Sequence, residues 1–123
     1  MKLRTAAELA IGTLYAIGAG HQALWVLRHS QEFYGDMANQ AWLRPAQIVI
    51  EEVFLPNSVA VTIFVIIFQA AVAIGSLTRG IAVRPALVAG GVISIIGAVC
   101  GNPAETVGYG VLAAIQFWLA STH

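Results

Sequence analysis

The sequence predicts an all-α fold: an integral membrane four-helix bundle with an interfacial or re-entrant segment between its first two spans. Three observations predict it. Of the 123 residues 59% are hydrophobic and 10% charged, with a mean hydropathy of +0.80, whereas soluble domains carry about 25% charged residues. Uninterrupted apolar stretches run from Ser58 to Leu77, Ile81 to Val99 and Val107 to Ala120. A further stretch, Leu9 to Leu27, is broken only by His21 and Gln22. Each approaches the roughly 20 residues that a helix rising about 1.5 Å per residue needs to cross about 30 Å of hydrocarbon. The chain has room for four spans and one connecting segment, hence a single transmembrane domain, 1–123.

The first span is expected over about 5–28. The apolar run behind Lys2 and Arg4 is too long for a signal peptide and lacks a small-residue cleavage site, so it reads as a retained span. The segment from about 30 to 56 follows. Gln31 to Gln40 is polar, and Ala46 to Leu55 is apolar apart from Gln47 and the Glu51-Glu52 pair. About ten apolar residues suit an interfacial or re-entrant piece better than a fifth span, either a surface helix or a lid over a membrane-embedded pocket. Trp42 beside Arg44 fits a headgroup-level anchor.

Prolines mark the remaining boundaries, because proline favours a first helical turn and disfavours helix in the residue before it. Pro56-Asn57-Ser58 opens the second span (about 57–78) and Arg84-Pro85 the third (about 84–100). In Asn102-Pro103-Ala104-Glu105, Asn102 is placed to cap the fourth span (about 103–121) and Glu105 to return a bond to the cap. Phe117-Trp118 closes that span as an aromatic belt.

Charge sets the orientation. With four spans, Lys2, Arg4, Arg79 and Arg84 share one side and Arg28 and Arg44 the other. Lysine and arginine gather in cytoplasmic loops, so both termini are expected in the cytoplasm. The opposite loop also holds Glu32, Asp36, Glu51 and Glu52. A formal net charge of zero offers no basic field for nucleic acid. Cys100 is the single cysteine, which leaves no internal disulfide or Cys-x-x-Cys redox pair. His21, His29 and His123 show no ligand spacing, so no haem or metal is expected.

Hydrocarbon offers polar groups no water, so polar residues within spans point to function. Glu8, Tyr15 and Gln22 recur at intervals of seven and fall on one stripe of the first span. Gly12, Ala16 and Gly20 form a small-xxx-small pattern that allows close helix approach, as do Gly90 and Gly97 in the third span. Their expected role is packing. His21, one turn from Trp25, suits an interfacial contact, a proton relay or a bond to a quinone carbonyl. Gln69 lies deep in the second span, where an amide needs a partner in another helix or in a ligand. Gln116 is a similar case in the fourth. Glu8 is expected to snorkel to the cytoplasmic interface.

The run from Ile11-Gly12 through Gly20-His21, the long segment before the second span, Gly75-Ser76-Leu77-Thr78-Arg79 at its close and the small-residue-rich third span together resemble the DoxX-like membrane proteins. That family takes its name from a small subunit of a terminal quinol oxidase and thiosulfate:quinone oxidoreductase. The resemblance covers most of the chain and implies four spans and a quinone-linked redox complex. The chain departs from the pattern in its second span, where many family members carry an acidic residue and this sequence has Gln69. An amide does not exchange a proton as a carboxyl does.

Two functions are expected. One is a membrane subunit binding an apolar ligand such as a quinone between the first two spans, with Tyr15, His21, Gln22, Trp25 and Gln69 lining the site. The other is a non-catalytic accessory subunit that packs against other membrane subunits or against itself. A small homo-oligomeric transporter using Glu8 is the alternative.

Overall fold

A computed structural model of the chain describes residues 2–122. Among them it is all-helical, with no strand. Four long helices form the body: α1 (Leu3–His21), α4 (Ser58–Leu77), α5 (Val83–Cys100) and α6 (Pro103–Ser121). Two short ones, α2 (Ser30–Gln40) and α3 (Arg44–Val49), lie between α1 and α4. By length and composition α4 and α5 are able to cross a membrane. The sequences of α1 and α6 are more polar, since Glu8 in one and Gln116 in the other supply the bundle interior.

The helices begin where local chemistry favours it. Asn102 accepts a bond from the Glu105 amide at 2.8 Å while the Glu105 carboxylate accepts from the Asn102 amide at 3.1 Å, a complete capping box ahead of Pro103. Pro85 sits in the first turn of α5, where its missing N–H costs nothing. At the other end of the preceding turn Arg79 has φ 51°, a left-handed conformation that non-glycine residues seldom adopt.

Successive long helices run antiparallel. Along the α1–α4 seam Glu8 meets Arg79, Gly12 meets Ser76 and Leu77, and Gly18 meets Gln69. A Cβ on Gly12 would stand 2.8 Å from Leu77 Cγ, so glycine there sets the helix separation. Between α5 and α6, Gly91 lies under the Phe117 ring and Gly97 under the Tyr109 ring. Gly90 admits Gln116, which its Cβ would strike.

Two of the expected packing positions do not pack. Ala16 is exposed, and a Cβ on Gly20 would meet nothing within 4 Å. Four residues advance a helix by about 40° more than one turn, so a strict four-residue stripe walks off the contact line. The buried line of α1 instead follows Glu8, Ile11, Gly12 and Tyr15, with alternating steps of three and four that hold one face.

The 30–56 segment folds onto one end of the bundle. Tyr34, Ala38, Ala46, Ile50 and Cys100 form a second hydrophobic core, with Phe33, Phe54 and Val61 packed against it. Ser30 Oγ donates to Ser58 Oγ at 2.8 Å and Trp42 Nε1 donates to Thr106 Oγ1 at 2.8 Å, tying the segment to α4 and α6. Burial among these apolar groups pushes the Tyr34 hydroxyl above its usual pKa, partly offset by the neighbouring Thr62 hydroxyl.

Both α1 and α3 end in a π-helical turn, Gln22–Val26 and Ile50–Phe54. There the amides of Leu27 and Leu55 donate five residues back, to Gln22 O and Ile50 O, each at 2.9 Å. Such turns widen the helix and re-aim side chains. Neither has a proline or glycine in it, so the sequence carried no punctuation to announce them.

Several polar side chains lie inside the bundle beside its apolar core, and many large apolar ones lie outside. Glu8, Thr62, Ser76, Ser94 and Gln116 are buried, whereas Ile17, Leu24, Phe64, Ile67, Ile96 and Val107 are exposed.

Candidate functional site

The centre of the bundle is polar and closed. Tyr15 projects from α1 and its hydroxyl donates to Gly90 O at 2.7 Å, with Ser94 Oγ at 2.9 Å. The Gln116 amide, fully buried on α6, lies 2.9 Å from the Tyr15 oxygen and 2.7 Å from Ser94 Oγ. Either end of this amide can face Ser94, since each orientation lets it bond both Ser94 and Tyr15. A phenol hydroxyl has one donor and two acceptor positions, and three neighbours occupy the Tyr15 oxygen. Ser94 was not singled out in the sequence. Its signal was present, for it stands four residues after Gly90 and three before Gly97, on the same helix face.

Beside this knot is a cavity of about 140 Å³ lined by Leu14, Tyr15, Gly18, Gln69, Ile93, Tyr109 and Leu112. All four long helices contribute to it. The Gln69 amide lies over Gly18, its nitrogen and oxygen both 3.3 Å from where a glycine Cβ would stand. Gln69 Oε1 is buried and has no hydrogen-bond partner, a state that costs about 1–3 kcal/mol when nothing satisfies it. One turn along α1, Gln22 Oε1 is buried and unpartnered as well.

The predicted ligand-binding residues therefore divide. Tyr15 and Gln69 share the cavity wall, and Gln22 continues the seam toward the π-turn. His21 and Trp25 are exposed on the outer surface. There the Trp25 indole stacks between the rings of His21 and His29, at centroid distances of 6.0 and 4.5 Å. His29 Nδ1 is 2.9 Å from Trp25 O, so that nitrogen carries the proton of the bond. Counting by sevens placed Gln22 inward with Tyr15; His21, one position earlier, is rotated about 100° away.

Glu8 departs from expectation. It is 0% exposed and its Oε1 accepts from Arg79 Nη2 at 2.8 Å. Instead of snorkelling, the carboxylate stays inside and the arginine reaches in, its longer stem allowing the charge to enter from the surface. Among the described residues no cluster of three or more histidines, cysteines and carboxylates is placed to hold a metal ion.

Comparisons with models of protein families, with curated proteins and with solved structures give no match to this chain.

Proposed function

We propose that this chain is a four-span integral membrane protein of the DoxX-like type, with both termini cytoplasmic. In this reading it is a small, non-catalytic subunit of a larger membrane assembly that holds a single-ring apolar ligand, a quinone in its hydroxyl-bearing quinol form being the candidate, in the four-helix cavity. The apolar outer surfaces of α1 and α6 support four spans, since Ile17, Leu24, Val107 and Val111 would face water otherwise. Lys2, Arg4, Arg79 and Arg84 belong to one end of the bundle and Glu32, Asp36, Glu51, Glu52 and Glu105 to the other, which supports the orientation.

One observation carries the ligand reading: the Gln69 side chain brings a buried, unpartnered oxygen to the wall of a cavity built by all four helices. Pockets of this kind are mostly apolar with a few placed polar groups. A core cavity of roughly 150 Å³ in another protein takes up benzene, so about 140 Å³ accommodates one ring. Glu8, held against Arg79, serves in this reading as a tether between the ends of α1 and α4.

The test is mild detergent extraction from the host membrane and mass spectrometry of the intact assembly. Wild-type protein is expected to retain other membrane subunits and one ring-bearing small molecule, and Gln69→Leu to retain the subunits but lose the molecule. Wild type carrying phospholipid alone would refute the ligand reading.

A further inference from the structure

We infer that the cavity selects a ring bearing a hydroxyl donor, a simple phenol, over an apolar ring of the same size. The inference rests on reading the cavity as a ligand site and goes further by naming the chemistry it selects. Of the side chains lining it, Leu14, Ile93 and Leu112 are apolar and Gly18 presents backbone alone. The Tyr15 hydroxyl offers nothing to a newcomer, because Gly90 O, Ser94 Oγ and the Gln116 amide already surround it within hydrogen-bond distance. Tyr109 contributes its ring, which packs on Gly97. Among the groups left, the Gln69 oxygen is the buried acceptor with no donor.

In hydrocarbon no water competes for this acceptor. A ligand O–H that reaches Gln69 Oε1 satisfies both groups, whereas a methyl at the same place leaves the oxygen unpaired. A site built to bond a hydroxyl rejects the analogue lacking it more strongly than an apolar pocket rejects a changed methyl. The volume of about 140 Å³ accommodates one ring with small substituents.

The experiment uses the full chain in lipid nanodiscs and fluorine NMR titration with 4-fluorophenol and 4-fluorotoluene, each referenced to empty nanodiscs to remove partition into lipid. Wild type is expected to bind 4-fluorophenol about tenfold more tightly than 4-fluorotoluene, the factor gained by satisfying one buried acceptor. In Gln69→Leu that preference should vanish while 4-fluorotoluene still binds, which shows that the cavity survives the substitution. Ile93→Phe, which fills the cavity, should abolish binding of both. Equal affinities in wild type, or an undiminished preference in Gln69→Leu, would overturn the donor match and leave the cavity reading standing. Saturable binding of neither probe by wild type would overturn the cavity reading itself.

Discussion

Tyr15 and Gln116, separated by 101 residues, lie 2.9 Å apart at the centre of the bundle, and they join the first long helix to the last. Arg4, donating to Thr122 O at 2.8 Å and lying over the Trp118 ring, supplies a second tie near the termini. Hydrogen bonds between helices in a membrane average about 0.6 kcal/mol and reach about 1.7. A double-mutant cycle with Tyr15→Phe and Gln116→Leu, read by unfolding in mixed micelles, should therefore give a coupling of about 0.5–1.5 kcal/mol. Additive losses would mean that the two side chains act separately.

Glycine positions that look alike in sequence should respond in opposite ways. Gly90→Ala drives a methyl into Gln116 Nε2 and to 3.2 Å from the Tyr15 oxygen, so it breaks the central knot. Its expected cost is about 1–3 kcal/mol. Gly20→Ala meets nothing within 4 Å and should be neutral or stabilising by up to about 1 kcal/mol, through helix propensity. Thermal unfolding of the two variants beside wild type checks the contrast.

Arg79 trades backbone strain for charge. Its φ of 51° favours glycine, yet Arg79→Gly should destabilise, because a fully buried carboxylate loses its guanidinium partner. With the arginine 35% exposed, screening reduces the usual penalty for breaking a buried pair, and a loss of about 1–3 kcal/mol is expected. Glu8→Gln in the same chain should recover part of it, since no charge is then left inside. Chemical unfolding of the single and double variants measures both terms.

The segment over the bundle end should loosen in alkali. Tyr34 has its folded-state pKa raised by burial, so folding favours the protonated phenol. This contribution is complete below the unfolded value of about 10 and is lost as pH rises through the higher folded value. Amide exchange across residues 30–40 should accelerate above about pH 10 in wild type. Tyr34→Phe should shift the onset upward.

How much of this was legible in the sequence follows from the range of the interactions. Helix starts were written in local chemistry: Asn57-Ser58, Arg84-Pro85 and the Asn102 to Glu105 box lie at or within two residues of the starts of α4, α5 and α6. Period arithmetic likewise turned Tyr15 toward the interior, and position within apolar spans marked Gln69 and Gln116 as amides needing partners. The identity of those partners was not local. Ser94 and Gly90 reach Tyr15 from 79 and 75 residues away, and Glu8 stays inside because Arg79, 71 residues on, reaches it. The two π-turns depend on one displaced hydrogen bond each, for which composition gives no signal.

The account depends most directly on α1 and α6 crossing the bilayer along with α4 and α5. Single cysteines at Lys2, Asp36 and Thr122, each in a Cys100→Ser background, can be labelled in sealed membrane vesicles with an impermeant maleimide. Four spans predict that positions 2 and 122 react from one side and position 36 from the other. If all three react from the same side, only α4 and α5 cross, the four-helix cavity lies outside the membrane, and the account is contradicted.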